Sequence, residues 1–202
     1  MDTALIVIDM QNGFVHPEGS ISALGAPSPR IADVIEENRK LIDAARHAGV
    51  PIVYTRHQFR EGYLDVPRPV LARFAGRTDI LVEGSWDAAV CDALAPEPGD
   101  VLVDKRRYDA FLYTDMELIL RALGATRLLV AGVLTNICVE STVRSAHMRD
   151  FDVFVTSDCT SAAPEFHEPS LAGMGAVFAT VLPWKDALSE LLSSQELLAD
   201  AH

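Results

Sequence analysis

The chain has no excess of basic residues, no apolar stretch of membrane-spanning length and no cysteine framework. Seventeen Lys and Arg stand against 29 Asp and Glu, a formal charge of -12, so there is no basic footprint for a phosphate backbone or an anionic lipid surface. Neither nucleic acid nor a membrane is an expected partner. The apolar run Leu128 to Leu134, like every other in the chain, falls far short of the roughly 20 residues that cross a bilayer. The N-terminus shows no basic region ahead of a long apolar one, since Asp2 precedes a short run that stops at Asp9; the expectation is a cytoplasmic protein. Cys91, Cys138 and Cys159 are odd in number and widely spaced, which matches no disulfide or zinc pattern and suits a reducing compartment. At least one thiol is free. A Gly-x-Gly-x-x-Gly turn is also missing. Asp-Met-Gln-Asn-Gly-Phe follows the first apolar run instead, which excludes a dinucleotide-dependent oxidoreductase.

What is present, 202 residues at 49% hydrophobic and 23% charged, fits one α/β domain over residues 1–202 with a core that needs no metal or disulfide. Residues 4 to 8, Ala-Leu-Ile-Val-Ile, read as a strand buried on both faces and ending at Asp9. Ser28 as N-cap and Pro29 at the first position start a helix on Ile31, Val34, Ile35, Ile42 and Ala45, which Gly49 closes. Pro51 to Thr55 is a second strand, and the stretch beyond it to about residue 80 reads as a long functional loop or lid. Val101 to Val103 is a third strand, ending at Asp104 and Lys105. Thr114 and Glu117 have the spacing of a capping box at the head of a helix that Gly124 ends. Strands at Leu128–Ala131, Val153–Thr156 and Ala176–Val181, a helix from Asn136 to about Arg149 and a terminal helix from Lys185 complete the chain. The β-then-α rhythm predicts a six-stranded parallel sheet with helices on both faces, a three-layer Rossmann-like sandwich whose strand C-termini share one edge. No repeat or interdomain linker interrupts it.

Asp9, Lys105 and Cys138 fall at or just beyond the C-terminal ends of different strands, so the topology brings them together. Each alone has a blander reading, as a cap, a solvated charge and a small buried hydrophobe respectively. Cys138 lies in the first turn of a helix that Thr135 or Asn136 is suited to cap. There the free N–H groups and the helix dipole favour a thiolate, a nearby lysine favours it further, and the same N–H groups can hold an oxyanion. Asp9 then takes the thiol proton and passes it to a leaving amine. Cys91, read as part of a short Trp-containing helix, and Cys159, after a strand, are expected to be structural.

Three segments carry a resemblance. Ala4-Leu-Ile-Val-Ile-Asp-Met-Gln-Asn-Gly-Phe14, Val103-Asp-Lys-Arg-Arg-Tyr-Asp-Ala-Phe111 and Gly132-Val-Leu-Thr-Asn-Ile-Cys-Val-Glu-Ser-Thr142 resemble, in order, the signature blocks of the isochorismatase-like cysteine hydrolases. The resemblance implies a catalytic triad of Asp9, Lys105 and Cys138 on a six-stranded parallel sheet. It also implies a non-proline cis peptide at Val133-Leu134, an oxyanion hole from the N–H groups of Leu134 and Cys138, no cofactor, and a homodimer or homotetramer. The stretches Gly84-Ser85-Trp86-Asp87, Lys105 to Tyr108 and Cys138 to Arg144 most resemble ureidoacrylate and N-carbamoyl amidohydrolases. His57 and Phe59 stand where those enzymes are expected to show Asn and Trp.

The implied activity is metal-independent hydrolysis of a C–N bond in a small linear amide, ureido or N-carbamoyl compound through a thioester. Nicotinamidase or isochorismatase chemistry and a non-catalytic binding member of the fold are the alternatives. Tyr54-Thr-Arg-His-Gln-Phe59 lacks the Asp-x-His spacing of the nicotinamidase metal site, so His57 is read as facing substrate and no metal is expected. His16, His47, His147, His167 and His202 show no ligand spacing. Phe14, Phe59 and Tyr108 are candidate pocket residues, with Trp86 and Phe111 divided between pocket and core. Arg56, Arg106 and Arg107 are open alternatives as anchors for a substrate carboxylate.

Overall fold

The computed structural model describes residues 2–24 and 30–199, so Ser28, Pro29 and His202 lie outside the described residues. Six parallel strands, β1 (Thr3–Ile8), β2 (Ile52–His57), β3 (Val101–Lys105), β4 (Arg127–Val133), β5 (Asp152–Ser161) and β6 (Thr180–Leu182), form one sheet in the order β3-β2-β1-β4-β5-β6. The alternation of β1 decides what lies on each face. Leu5 and Val7 pack with Leu41, Ile42 and Ala45 of α2 (Ile31–His47) and Leu188 and Leu191 of α7 (Trp184–Ala199). Ala4, Ile6 and Ile8 pack on the opposite side with Met116 and Leu120 of α4 (Met116–Ala122), Val143 and Ala146 of α5 (Glu140–His147), and Leu171 and Met174 of α6 (Pro164–Val177). With every residue of β1 buried, each of its larger aliphatic side chains contributes roughly 1.5–3 kcal/mol of burial. Two short helices complete the set, α1 (Asn12–Val15) beneath the end of β1 and α3 (Arg68–Arg73). No described helix is long and apolar enough to cross a membrane.

Several local expectations need correction. Helix α4 begins at Met116, and Thr114 is not the N-cap of a capping box: its hydroxyl donates to Ala110 O and accepts from Met116 N–H, while Glu117 pairs outward with Arg149. The apolar run Ala176–Val181 is divided, since Ala176 and Val177 finish α6 and the strand begins only at Thr180. Helix α6 escapes a reading by pattern because Pro169, Gly173 and Gly175 are poor helix formers; burial of Leu171 and Met174 overrides them. Strand β5 continues through the polar Ser157-Asp158 to Ser161, with a register shift against β4 between Val130 and Gly132. Cys91 is not in a helix. It follows a series of turns and donates its N–H to Met10 O at 2.9 Å.

Gly132 is the position where backbone approach is closest. It has φ +108°, and a Cβ there would lie 2.0 Å from Ile8 O of the neighbouring strand. Only glycine lets β4 run beside β1 at this point, and β4 carries the next residues into the candidate site.

Candidate active site

Strand β1 ends at Ile8, so Asp9 is the first residue past the sheet, held at φ +49°. Its N–H donates to Thr55 O, and the Thr55 hydroxyl donates to Asp9 Oδ1 at 2.6 Å. Thr55 sits opposite Ile8 in the β1–β2 register, which fixes the carboxyl from the adjacent strand. Lys105, the last residue of β3, reaches inward so that Nζ lies 2.7 Å from Asp9 Oδ2, with both side chains fully buried. The same Nζ donates to Arg107 O at 3.1 Å and stands 3.1 Å from His57 Nδ1. An ammonium has only donors, so Nδ1 is the acceptor and the neutral ring carries its proton on Nε2. The main chain of His57 is itself clamped, with its N–H bonded to Gln11 Oε1 at 2.7 Å and its carbonyl to Gln11 Nε2 at 2.9 Å.

Cys138 arrives from the other side of β1. Beyond β4 the Val133-Leu134 peptide is cis, as the resemblance implies, and Thr135–Val139 forms a wide helical turn that runs into α5. Neither Thr135 nor Asn136 caps it by side chain. The Thr135 hydroxyl instead meets His167 Nδ1 of α6 at 2.8 Å, and Ser170 of the same helix bonds both Thr135 O and Glu140. The sulfur of Cys138, only 2% exposed as a residue, lies within 4.8 Å of a carboxyl oxygen of Asp9 and a ring nitrogen of His57. Asp9, Lys105 and Cys138 therefore converge, and His57 joins them.

The electrostatics follow from burial. Desolvation raises the Cys138 thiol well above its ordinary value; Lys105 opposes that shift and the Asp9 carboxylate adds to it. Lys105 thus acts in the expected direction, towards a thiolate, but burial outweighs it and the net shift favours the neutral thiol. Burial works against the Lys105 charge, but the Asp9 partner outweighs it and the pKa is raised above the ordinary lysine value. His57 is pushed well below 6.5, first by desolvation and then by Lys105, Arg106 and Arg107, so the ring is neutral at pH 7. Asp9, His57 and Cys138 are the one group of three metal-ligating side chains among the described residues, their donor atoms within 4.8 Å of one another. Lys105 Nζ lies 2.7 Å from Asp9 Oδ2 and 3.1 Å from His57 Nδ1, so a cation held by these two groups would have to displace an ammonium.

A cavity of about 350 Å³ opens above Cys138. Phe14, His57, Phe59, Tyr108, Leu134 and Cys138 line it, as do Val70, Arg73 and Phe74 at α3 and Ile21, Leu24, Leu81 and Ile137. Phe59 meets the His57 ring edge-on at 4.8 Å, and Tyr108 stacks against it at 5.7 Å. Trp86 belongs to neither pocket nor core, being 51% exposed with its ring against His16. Phe111 is buried in the α4–α5 face beside Phe151. The three arginines considered as anchors are engaged elsewhere. Arg56 pairs with Asp104, Arg106 with Asp65 and Glu83, and Arg107 Nη1 with the carbonyls of Asp65 and Arg106. Sequence reasoning did not single out Thr55, Gln11 or Arg73. Thr55 and Gln11 carried a weak signal, polar residues beside buried strand ends; Arg73 carried none.

The family described as the isochorismatase domain matches residues 3–186. A ureidoacrylate amidohydrolase, RutB, of Methylobacterium radiotolerans is 34% identical, over 89% of this chain and 75% of that protein. Its namesake in Stutzerimonas stutzeri is 35% identical over 82% and 72%. The crystal structure of a cysteine hydrolase from Pseudomonas syringae pv. phaseolicola superposes with a TM-score of 0.85 at 31% identity, covering 95% of this chain and 93% of that one. N-carbamoylsarcosine amidase from Thermoplasma acidophilum gives 0.73 at 28% identity over 91% and 97%.

Proposed function

From the premise that the chain belongs to the isochorismatase family, we propose that it is a cysteine amidohydrolase that cleaves the C–N bond of a linear amide, ureido or N-carbamoyl compound. The observation that carries this reading is the buried cluster at the foot of the cavity, where the Asp9–Lys105 ion pair adjoins the Cys138 sulfur. Lys105 places its ammonium 2.7 Å from the Asp9 carboxyl. As the sulfur attacks the substrate carbonyl carbon, the thiol proton passes to Asp9, and the oxygen gains charge held by the N–H groups of Leu134 and Cys138. Collapse breaks the C–N bond, the nitrogen leaves as ammonia or an amine with the proton from Asp9, and a thioester remains, or a thiocarbamate for a ureido substrate. Water then gives its proton to Asp9, adds to the carbonyl, and releases the acid as the thiol is restored. His57, neutral and lining the cavity, offers one ring N–H to a substrate oxygen.

The compounds that two of the relatives are named for, ureidoacrylate and N-carbamoylsarcosine, are the first to test. An ammonia-release screen over ureidoacrylate, N-carbamoyl amino acids, biuret and nicotinamide, with mass spectrometry of the acid-quenched enzyme, should show turnover of a ureido or carbamoyl compound and an acyl adduct on the peptide containing Cys138. Turnover with no adduct on any cysteine, or nicotinamide outrunning every ureido compound in kcat/KM, overturns the reading.

A further inference from the structure

The cavity is more apolar and larger than a ureido group requires. At the ~30 Å³ that each water occupies in the liquid, about 350 Å³ holds about a dozen water-sized groups, whereas a ureido group has four non-hydrogen atoms. The surplus is walled by hydrocarbon and aromatic rings, among them Phe14, Phe59, Phe74, Leu81 and Ile137, and no acidic residue lines it among the described residues. A single guanidinium, that of Arg73 in the last turn of α3, is part of the lining.

Arg60 pairs with Asp65, Arg77 with Asp79, and Arg106 with Asp65 and Glu83, while Arg73 makes no ion pair among the described residues. Of the arginines around the cavity, Arg68 and Arg107 also lack an ion pair among the described residues, but neither lines it, and Arg107 is held by the carbonyls of Asp65 and Arg106. A lone cation beside apolar walls, with a carbonyl-attacking sulfur also in the lining, fits a ligand with three parts in the same arrangement. Resting on the amidohydrolase reading, we infer that the preferred substrate class is a ureido or amide compound with a bulky aromatic or branched body and a carboxylate that Arg73 binds. Val70 and Phe74, one turn or less from Arg73 on the same segment, form the wall against the body, so the α3 segment reads both size and charge.

The test compares N-carbamoylphenylalanine, N-carbamoylglycine and the uncharged N-carbamoylphenethylamine with the unaltered enzyme, Arg73→Gln and Arg73→Lys. The phenylalanine compound should exceed both others in kcat/KM, by about tenfold over the uncharged one, the factor expected of one charge-assisted contact at an exposed arginine. Arg73→Gln should collapse the acid-to-neutral ratio towards one, mainly through KM, and Arg73→Lys should restore part of it. Calorimetric binding of the same three compounds to Cys138→Ser gives a readout that needs no turnover. Binding in the stated order with no hydrolysis of any compound by the unaltered enzyme supports the ligand class and overturns the amidohydrolase reading. A glycine compound bound or turned over as well as the phenylalanine one, or a ratio unmoved by Arg73→Gln, overturns the inference and leaves that reading standing.

Discussion

Replacing Lys105 by Met keeps the length of the side chain and removes its ammonium. Asp9 is then left fully buried without the cation 2.7 Å from its Oδ2, with Thr55 as its remaining side-chain partner. Breaking a buried pair by removing one member typically costs about 3–5 kcal/mol, because the other charge stays desolvated. Against a total stability on the order of 5–15 kcal/mol, and at about 2–4 °C per kcal/mol for a chain of this size, the variant should melt about 6–20 °C lower. Asp9→Asn combined with Lys105→Met removes both charges and should recover most of the loss while staying inactive, since no proton acceptor faces the sulfur. Urea unfolding at pH 7.5 of the unaltered protein, Asp9→Asn, Lys105→Met and the double variant gives the coupling directly. The contribution of Lys105 has a defined pH window: its folded-state pKa is raised above 10.5, so it is fully present at neutral pH and is lost only as pH climbs through the raised value. Equal stabilities for Lys105→Met and the double variant, or a loss below about 1 kcal/mol, would refute the buried ion pair as the element that holds the site charged.

The other expectations are separate and each has its own measurement. Cys138→Ser should fold and lose turnover, whereas Cys91→Ala and Cys159→Ala should retain it; a dead, well-folded Cys91 variant would show that the nucleophile lies elsewhere. The rate of Cys138 alkylation by iodoacetamide should rise with pH to a midpoint above 9.0, and a midpoint near 7 would disprove the resting thiol. Because His57 is held neutral below 6.5 when folded, the unfolded chain binds the extra proton, and stability should fall on acidification below pH 6.5 by up to about 1.4 kcal/mol per pH unit. His57→Asn should flatten that slope, and an unchanged slope counts against the buried neutral ring. Gly132→Ala, with a Cβ 2.0 Å from Ile8 O, should cost more than about 4 kcal/mol; a variant melting like the unaltered protein would contradict the close β1–β4 approach. Turnover should survive exhaustive chelation, and its loss with recovery on adding zinc would show a metal where Lys105 Nζ stands.

The apolar run at residues 4 to 8 fixes a strand buried on both sides, and the repetition of strand and helix fixes parallel order, because only helices covering both faces can bury such strands. Parallel order then sends Asp9, Lys105 and the turn bearing Cys138 to one edge, so the convergence of these three residues was legible from the strand pattern. Local signals failed where tertiary contacts outbid them. Packing of Leu171 and Met174 holds α6 helical through Pro169 and its glycines. His167 takes the hydroxyl of Thr135 that local pattern assigned to a cap. The sulfur's protonation state was likewise undecidable from the chain, since a helix terminus favours a thiolate and burial disfavours it, and only the folded packing sets their balance. Arg73 became a candidate only once its neighbours were seen paired with Asp65, Asp79 and Glu83. Sequence periodicity records which way a side chain faces its own strand or helix; which distant group meets it, and how much water remains between them, is decided by the tertiary structure.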